Sequence, residues 1–125
     1  MNREILFRGK STISKEWVYG DLVQTSQLTA IKEVNGDYFR PVSVNSDTIG
    51  QYTGLKDKEG NKIFEGDIIE SNGYRHIVMY NEDLAGFCSA NVKYPEDLCG
   101  INQQWINECD KVVIGNVTDN PELMK

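Results

Sequence analysis

The feature that most constrains this chain is a repeated alternation of apolar and polar residues, interrupted by Asn-Gly and other glycine-containing turns. Side chains of a β-strand point alternately to opposite faces of a sheet, so a period of two predicts strands with one buried face. The Asn-Gly pair tolerates positive φ, which tight hairpin turns require. The pattern therefore predicts an all-β protein of mainly antiparallel hairpins, a small barrel or sandwich with one or two short helical turns; an α+β fold is the alternative.

Three hairpins are predicted. Asn35-Gly36 and Asn72-Gly73 each predict a tight turn, whereas the glycine of Asp57–Asn61 lies in a longer loop. Pro41 has no N–H to donate, which places its strand at a sheet edge or a bulge. The predicted strand pairs are residues 28–34 with 38–44, 48–56 with 62–64, and 67–71 with 74–80.

The remaining segments carry weaker patterns. Residues 111–117 are apolar on both faces, which predicts a strand sandwiched between two layers. Between residues 81 and 109 the alternation disappears, and Pro95–Leu98 is predicted to form one helical turn because proline suits the first helical position. The other predicted elements are strands at 4–8 and 17–23 and a short turn at 120–123.

Length and composition predict one globular domain covering residues 1–125. The chain is 39% hydrophobic and 26% charged, which is ordinary globular composition, and no internal repeat or linker divides it. The longest uncharged apolar runs last a few residues, so neither a transmembrane helix nor a signal peptide is expected. A soluble, intracellular protein is the expectation.

The charge distribution argues against a general role in coating nucleic acid. The formal net charge is -6, and residues 63–125 carry four bases against eleven acids. Affinity for nucleic acid depends on neutralising phosphates, so only a local patch in the nearly neutral first half could provide it. Aromatic residues with a neighbouring base form the one candidate patch, although core packing is the favoured interpretation of these residues. They are Trp17, Tyr19, Tyr38, Phe39 and Arg40.

No catalytic, cofactor or metal constellation emerges from the residues. His76 is the one histidine and lies mid-strand, which favours a packed or surface side chain over a general base. The three cysteines lack zinc-knuckle spacing and are predicted to be small core residues or inert thiols. A calcium loop starting at Asp57 would have Lys62 at the glycine position and Ile68 at the glutamate position. A non-enzymatic protein without a cofactor is therefore predicted, and carboxylate-assisted or metal-assisted hydrolysis near Asp57, Glu65 and Asp67 is the weakest alternative.

Four separated blocks of sequence resemble the YopX family of phage and prophage proteins. The main block is Thr-Ile-Gly-Gln-Tyr-Thr-Gly-Leu-Lys-Asp at 48–57, followed by Gly60 and Lys-Ile-Phe-Glu-Gly-Asp-Ile at 62–68. Similar blocks lie at 7–10, 17–22, and 113–117 with 120–123. The resemblance implies a small, mostly β protein of the bacterial cytoplasm, and it implies no reaction.

Two interpretations of the main block remain open. Its glycines and apolar residues can be explained by turns and a core, with Asp57 bonding turn backbone and Asp67 fixing the entry to the next strand. Alternatively, its polar residues and aromatic anchor form a protein-binding surface. That predicted interaction surface consists of Gln51, Tyr52, Thr53, Lys56, Asp57, Glu65 and Asp67.

The predicted function is that of a phage accessory protein acting as a protein-binding or self-associating β module. Its partner would be a host or phage protein, or a second copy in a homo-oligomer, since exposed sheet edges can pair between chains. No membrane partner is expected. The alternative is a small β-barrel that binds nucleic acid through Tyr38 and Arg40, which the net charge disfavours.

Overall fold

A computed structural model describes residues 2–125, which form two compact units, the first ending at Tyr52 and the second running from Thr53 to Lys125. Both units are built mainly from antiparallel strands, so the all-β prediction is confirmed; the prediction of one domain stays a prediction. In the described residues the elements are β1 Phe7–Lys10, β2 Trp17–Gln24, β3 Thr29–Glu33, β4 Val42–Ser43, β5 Gly50–Lys56, β6 Lys62–Phe64, β7 Asp67–Ser71, β8 Tyr74–Asn81, β9 Gly86–Asn91, β10 Leu98–Gly100, α1 Gln103–Asn107 and β11 Val112–Asn116.

The first unit is a sheet in which the strands follow the order β4-β3-β2-β1-β5. Ala30 and Ile31 of β3 are fully buried, and Val44 is nearly so. Gly20 of β2 lies directly against the backbone of β3, where a Cβ would collide with the carbonyl oxygen of Lys32. This close approach explains a glycine inside a strand that otherwise disfavours one.

The second unit contains the end of β5 with its hairpin partner β6, and a five-stranded sheet in the order β10-β9-β8-β7-β11. The hairpin of β7 and β8 is confirmed, since Ser71 pairs with Tyr74 across the two-residue turn. Asn72 and Gly73 both have positive φ, 52° and 83°, as this turn type requires. The hairpin of β5 and β6 is also confirmed, and the Thr53 hydroxyl donates to the Ile63 carbonyl across it at 2.8 Å.

One face of the five-stranded sheet is covered by α1. Ile69 of β7 and Val78 of β8 pack with Ile106 of the helix and with Ile63, and all four are at most 1% exposed. Asn102 begins the helix, because its side chain accepts a hydrogen bond from the Trp105 N–H at 2.8 Å. The helix therefore closes the core of the second unit.

The predicted pairing of the strands on either side of Asn35-Gly36 is confirmed, since Ala30 pairs with Ser43 and Ile31 with Val42, but the predicted tight turn between them is wrong. β3 ends at Glu33 and β4 contains only Val42–Ser43, so the connection between them spans 34–41. Asn35 has positive φ and the Gly36 N–H donates to the Glu33 carbonyl, so a local turn forms there, but the chain rejoins β3 only at Val42, opposite Ile31. β4 is the terminal strand of its sheet, so the edge position inferred from Pro41 is confirmed.

The predictions for residues 81–109 are also wrong. This stretch contains β9, β10 and the α-helix, while Pro95 and Glu96 form a turn rather than a helical turn. β9 has the sequence Gly-Phe-Cys-Ser-Ala-Asn, in which small residues obscure the alternation. The helix is five residues long, which is too short for a helical period to show.

Near the two ends of the chain, two predicted elements differ from the structure and one agrees with it. β1 begins at Phe7 rather than residue 4, and β11 is not sandwiched between layers, since it ends its sheet and all five of its residues are half-buried. The predicted turn at 120–123 is confirmed as a single 3-10 turn, Pro121–Met124.

Candidate functional site

The signature block contains a buried carboxylate, Asp57, which is 5% exposed. Its Oδ1 accepts hydrogen bonds from the backbone N–H groups of Glu59 and Asn61, both at 2.9 Å. Its Oδ2 accepts from the N–H of Val113 in β11 at 3.0 Å and from the Asn61 amide at 3.3 Å. The carboxylate therefore organises its own turn and connects it to a strand 56 residues away.

The rest of the predicted interaction surface is divided by burial. Tyr52 lies in the first unit and is buried, as is Asp67 in the second. The Oδ2 atom of Asp67 accepts from the Phe64 N–H at 2.7 Å, as predicted for an aspartate that fixes the entry to a strand. Lys56 is exposed, while Gln51, Thr53 and Glu65 are half-buried. The protein-binding role of this set stays a prediction.

The side chain of Gln103 pairs with the backbone of Lys56 in the manner of a neighbouring strand. Its Oε1 accepts from the Lys56 N–H at 3.1 Å, and its Nε2 donates to the Lys56 carbonyl at 2.7 Å. This amide satisfies both backbone groups of the last residue of β5 and holds the start of α1 against it.

His76, Trp105 and Lys111 form a cluster on the helix-covered face. The His76 and Trp105 rings are nearly perpendicular with centroids 5.4 Å apart, and the Lys111 Nζ lies 4.4 Å from the centroid of the Trp105 ring. Burial, and then the charge of Lys111, lowers the pKa of His76 below its ordinary value. His76 is half-buried against Trp105, which is the packed one of the two predicted alternatives.

Lys111 is 7% exposed and closes the helix end. Its Nζ donates to the carbonyl oxygens of Trp105 and Glu108, each at 2.9 Å. A cation bonded to the last carbonyls of a helix is stabilised by their partial negative charge.

The cysteines occupy different environments. Cys88 is fully buried in β9, and burial followed by the proximity of Cys99 raises the pKa of its thiol, as expected for an inert core residue. Cys99 and Cys109 are exposed, so a core position is wrong for these two.

The aromatic residues of the first unit are where sequence reasoning missed most. Phe39 is 94% exposed and Tyr38 is 75% exposed, so the favoured interpretation that they pack in the core is wrong. Both lie in the connection between β3 and β4, together with exposed Val34. We call residues 34–41 the aromatic loop. The available signal was Asp37, which predicts a local turn next to two aromatic residues.

Hydrogen bonds hold the aromatic loop in a defined conformation. The Asp37 carboxylate accepts from the Phe39 N–H at 2.8 Å, and the Asp37 carbonyl accepts from the Arg40 N–H at 3.1 Å. The Lys32 Nζ lies 4.6 Å from the centroid of the Tyr38 ring. The two rings are therefore presented by a turn with fixed backbone bonds.

A second aromatic site in this unit is associated with cations. The Arg8 guanidinium lies 4.6 Å from the centroid of the Trp17 ring, and the Lys10 Nζ lies 5.4 Å from it. Register explains the grouping, since Lys10 pairs with Trp17 and Arg8 pairs with Tyr19 across β1 and β2.

Across residues 2–125 no three metal-ligating side chains come together. Of the helices in that range, none has the length and apolar character needed to cross a membrane.

Together these features define a small antiparallel β protein with a carboxylate-centred signature turn. The family model described as YopX protein matches residues 6–125, so the chain belongs to the YopX family. It is also similar to protein EF1440 from Enterococcus faecalis, whose crystal structure aligns with a TM-score of 0.63 and 27% sequence identity, covering 99% of this chain and 100% of that one. A comparison with curated proteins finds no significant match.

Proposed function

We propose that this YopX-family protein is a non-enzymatic module that binds a protein partner through its aromatic loop. The observation that carries the proposal is the exposure of Phe39, 94%, beside a Tyr38 that is 75% exposed. Large aromatic side chains dominate the binding energy of protein interfaces. Covering a phenylalanine ring completely contributes about 2–3 kcal/mol, so two rings supply a substantial share of a micromolar affinity.

The turn geometry supports the same function. Association costs free energy whenever flexible groups become ordered, and a preformed loop reduces that cost. Asp37 fixes the backbone at Phe39, and Lys32 lies against the ring of Tyr38. The partner surface that fits is an apolar pocket for the rings with an acidic rim facing Lys32 and Arg40.

The proposed setting follows from the family resemblance. A host or phage protein in the bacterial cytoplasm is the proposed partner, and a second copy of this chain is the other candidate. β4 ends its sheet next to the aromatic loop and contains only two residues. Such a short edge limits strand pairing between copies, which favours a different protein as the partner.

The experiment is an affinity capture from nuclease-treated lysate of infected or induced bacteria, washed at high salt. The wild type is compared with the double variant Tyr38→Ser/Phe39→Ser and with Ile13→Ser, a matched control because Ile13 is an 89% exposed residue of the same unit. A protein retained by the wild type and by Ile13→Ser but lost from the double variant is the expected result. Equal retention by all three would contradict the proposal, and sedimentation over a concentration series tests self-association.

Nucleic-acid binding is the second candidate, and the observation that favours it is the exposed Tyr38 ring with the Lys32 Nζ 4.6 Å from its centroid and exposed Arg40 close by in the chain. Aromatic rings beside cations bind single strands by stacking and phosphate contact. This candidate predicts a mobility shift with single-stranded DNA or RNA that weakens steeply with salt, and loss of binding in Tyr38→Ala or Arg40→Ala. A shift that is independent of salt, or its absence, would remove this candidate.

A further inference from the structure

The second unit carries a cleft of about 560 Å³ whose walls include Arg75, Lys93 and Lys125. Residues 53–125 contain seven bases and thirteen acids, so three of the seven bases line this one cleft. One acid, Glu70, lines it as well. Because the unit as a whole is acidic, this concentration of cations sets the cleft apart as a place for an anion.

Arg75 is held in position before any ligand arrives. Its Nε donates to the Glu70 carboxylate at 3.1 Å, and its Nη1 donates to the Leu123 carbonyl at 3.3 Å. Neither bond uses Nη2, which therefore keeps its N–H groups for a ligand. A guanidinium fixed in this way binds a planar or tetrahedral oxyanion with little loss of side-chain entropy.

Hydrogen bonds to the backbone position the segment that carries Lys93, which also lines the cleft. The Val92 N–H donates to the Arg75 carbonyl at 2.9 Å, which attaches the segment after β9 to β8. The side chain of Asn91 accepts from the Lys93 N–H at 2.9 Å, closing a turn at the base of the lysine. Lys125 follows the 3-10 turn whose Leu123 carbonyl already contacts Arg75. The three cations are thus connected through one hydrogen-bonded framework.

The cleft also offers an aromatic surface. Tyr74 lines it and is 62% exposed, and Val92 adds an apolar contact. An exposed phenol ring next to cations suits a ligand that has a flat ring beside its phosphate. The volume lies within the range of about 300–1,000 Å³ that small-molecule sites occupy.

We propose that this cleft binds the phosphate of a nucleotide, with the phosphate on Arg75, Lys93 and Lys125 and the base against Tyr74. The ligand is a free nucleotide or the 5′-phosphorylated end of a strand, which present the same chemistry. The site is separate in sequence from the aromatic loop, so its failure leaves the proposed protein-binding function untouched.

The test is an NMR titration of the ¹⁵N-labelled chain with AMP, adenosine and inorganic phosphate. We expect saturable shifts of the Gly73 and Val92 amides with AMP, weaker binding of phosphate, and no binding of adenosine. The Lys93→Gln/Lys125→Gln variant should weaken AMP binding by about tenfold or more, because it removes two ionic contacts. Lys56→Gln/Lys58→Gln is the matched control, since it removes the same charge from the same unit without touching the cleft.

Tyr74→Leu separates the aromatic contribution from the ionic one, and it should weaken AMP binding while leaving phosphate binding unchanged. A 5′-phosphorylated oligonucleotide that binds at least as tightly as AMP would identify a strand end as a ligand, and weaker binding of the oligonucleotide would identify the free nucleotide. The proposal is overturned if AMP produces no saturable shift at about 10 mM, a concentration that detects even millimolar affinity. Equal weakening by the two double-lysine variants would overturn it too, because net charge alone would then explain the effect.

Discussion

Two turns of this protein, one in each unit, are organised by an aspartate that accepts hydrogen bonds from nearby backbone N–H groups. The two turns place their side chains differently, one in the interior and one at the surface. Asp57 accepts two backbone bonds within its own turn and one from Val113. Asp37 accepts one backbone bond, from Phe39. The first carboxylate is buried among its donors, while the second lies at the surface and holds two aromatic rings out to solvent.

The difference shows how a signature residue can be structural while a less distinctive loop carries the exposed apolar surface. In the block that identifies the family, the carboxylates of Asp57 and Asp67 accept hydrogen bonds from backbone N–H groups. Removing a carboxylate that accepts from several buried N–H groups lowers stability strongly, because each of these donors loses its acceptor and cannot bond water instead. Exposed aromatic residues contribute little to folding, so their placement calls for another explanation.

The largest effect is therefore expected from Asp57→Ala. The substitution leaves the N–H groups of Glu59, Asn61 and Val113 without their acceptor, and we expect the free energy of unfolding to fall by about 3 kcal/mol. Urea titration followed by tryptophan fluorescence measures it. Asp57→Asn should lower the free energy of unfolding somewhat less than Asp57→Ala, because its amide keeps one acceptor oxygen. It should still be destabilising, because the amide NH₂ then faces backbone N–H groups that are donors themselves.

Glu59→Ala is the control for the Asp57 substitution, because it removes an exposed carboxylate from the same turn and should change stability by less than about 0.5 kcal/mol. If Asp57→Ala changed the free energy of unfolding as little as Glu59→Ala, the turn around Asp57 would not stabilise the second unit. The contrast between the two turns would then be one of appearance alone.

The sequence predicted the local half of this arrangement. Asp57, three residues before Gly60, predicts a turn with side-chain bonds to its own backbone, and the hairpin of β5 and β6 follows from it. The bond from Val113 was beyond reach, because it depends on where β11 lies, 56 residues further along the chain. Hydrogen bonds within a turn can be predicted from neighbouring residues, whereas a hydrogen-bond partner far along the chain depends on the whole fold.

Lys111→Met should cost the second unit about 2 kcal/mol, since two carbonyl oxygens at the end of α1 lose a charged donor. The same variant should raise the pKa of His76, although not to its ordinary value, because burial is the larger cause of the lowering. Urea titration gives the first quantity and an NMR pH titration gives the second. Lys58→Met, at a lysine paired with exposed Asp110, should change neither. An unchanged His76 pKa in Lys111→Met would show that the two residues do not interact.

His76 itself should make stability depend on pH. Its pKa is lower in the folded protein than in the unfolded chain, so the unfolded state binds the proton first. The contribution is fully present above about pH 6.5, the ordinary histidine value, and is lost as the pH falls through the folded pKa. We expect urea midpoints at pH 7.5 and pH 5.5 to differ more in the wild type than in His76→Gln. Equal differences would assign the pH dependence to carboxylates instead.

The aromatic loop shows why exposure was predicted less well than strand position. Period and turn residues located β2, β7 and β8 closely, and the edge position of the Pro41 strand is correct. Burial statistics place Tyr38 and Phe39 inside, because aromatic residues usually pack there. Tyr38 and Phe39 depart from that statistic, and their exposure depends on the path of the connection between β3 and β4, which the local sequence does not determine.

The smallest effect on stability is expected at the other aspartate. Asp37→Ala removes one exposed hydrogen bond, so the free energy of unfolding should change by less than about 0.5 kcal/mol. Capture of the protein partner should nevertheless weaken several-fold, because the backbone at Phe39 is no longer fixed and must be ordered on binding. Asp37→Asn is the control, since its side-chain oxygen can still accept from the Phe39 N–H and should preserve binding. If Asp37→Ala captured the partner as well as the wild type, the fixed turn would have no part in recognition, and the rings alone would account for it.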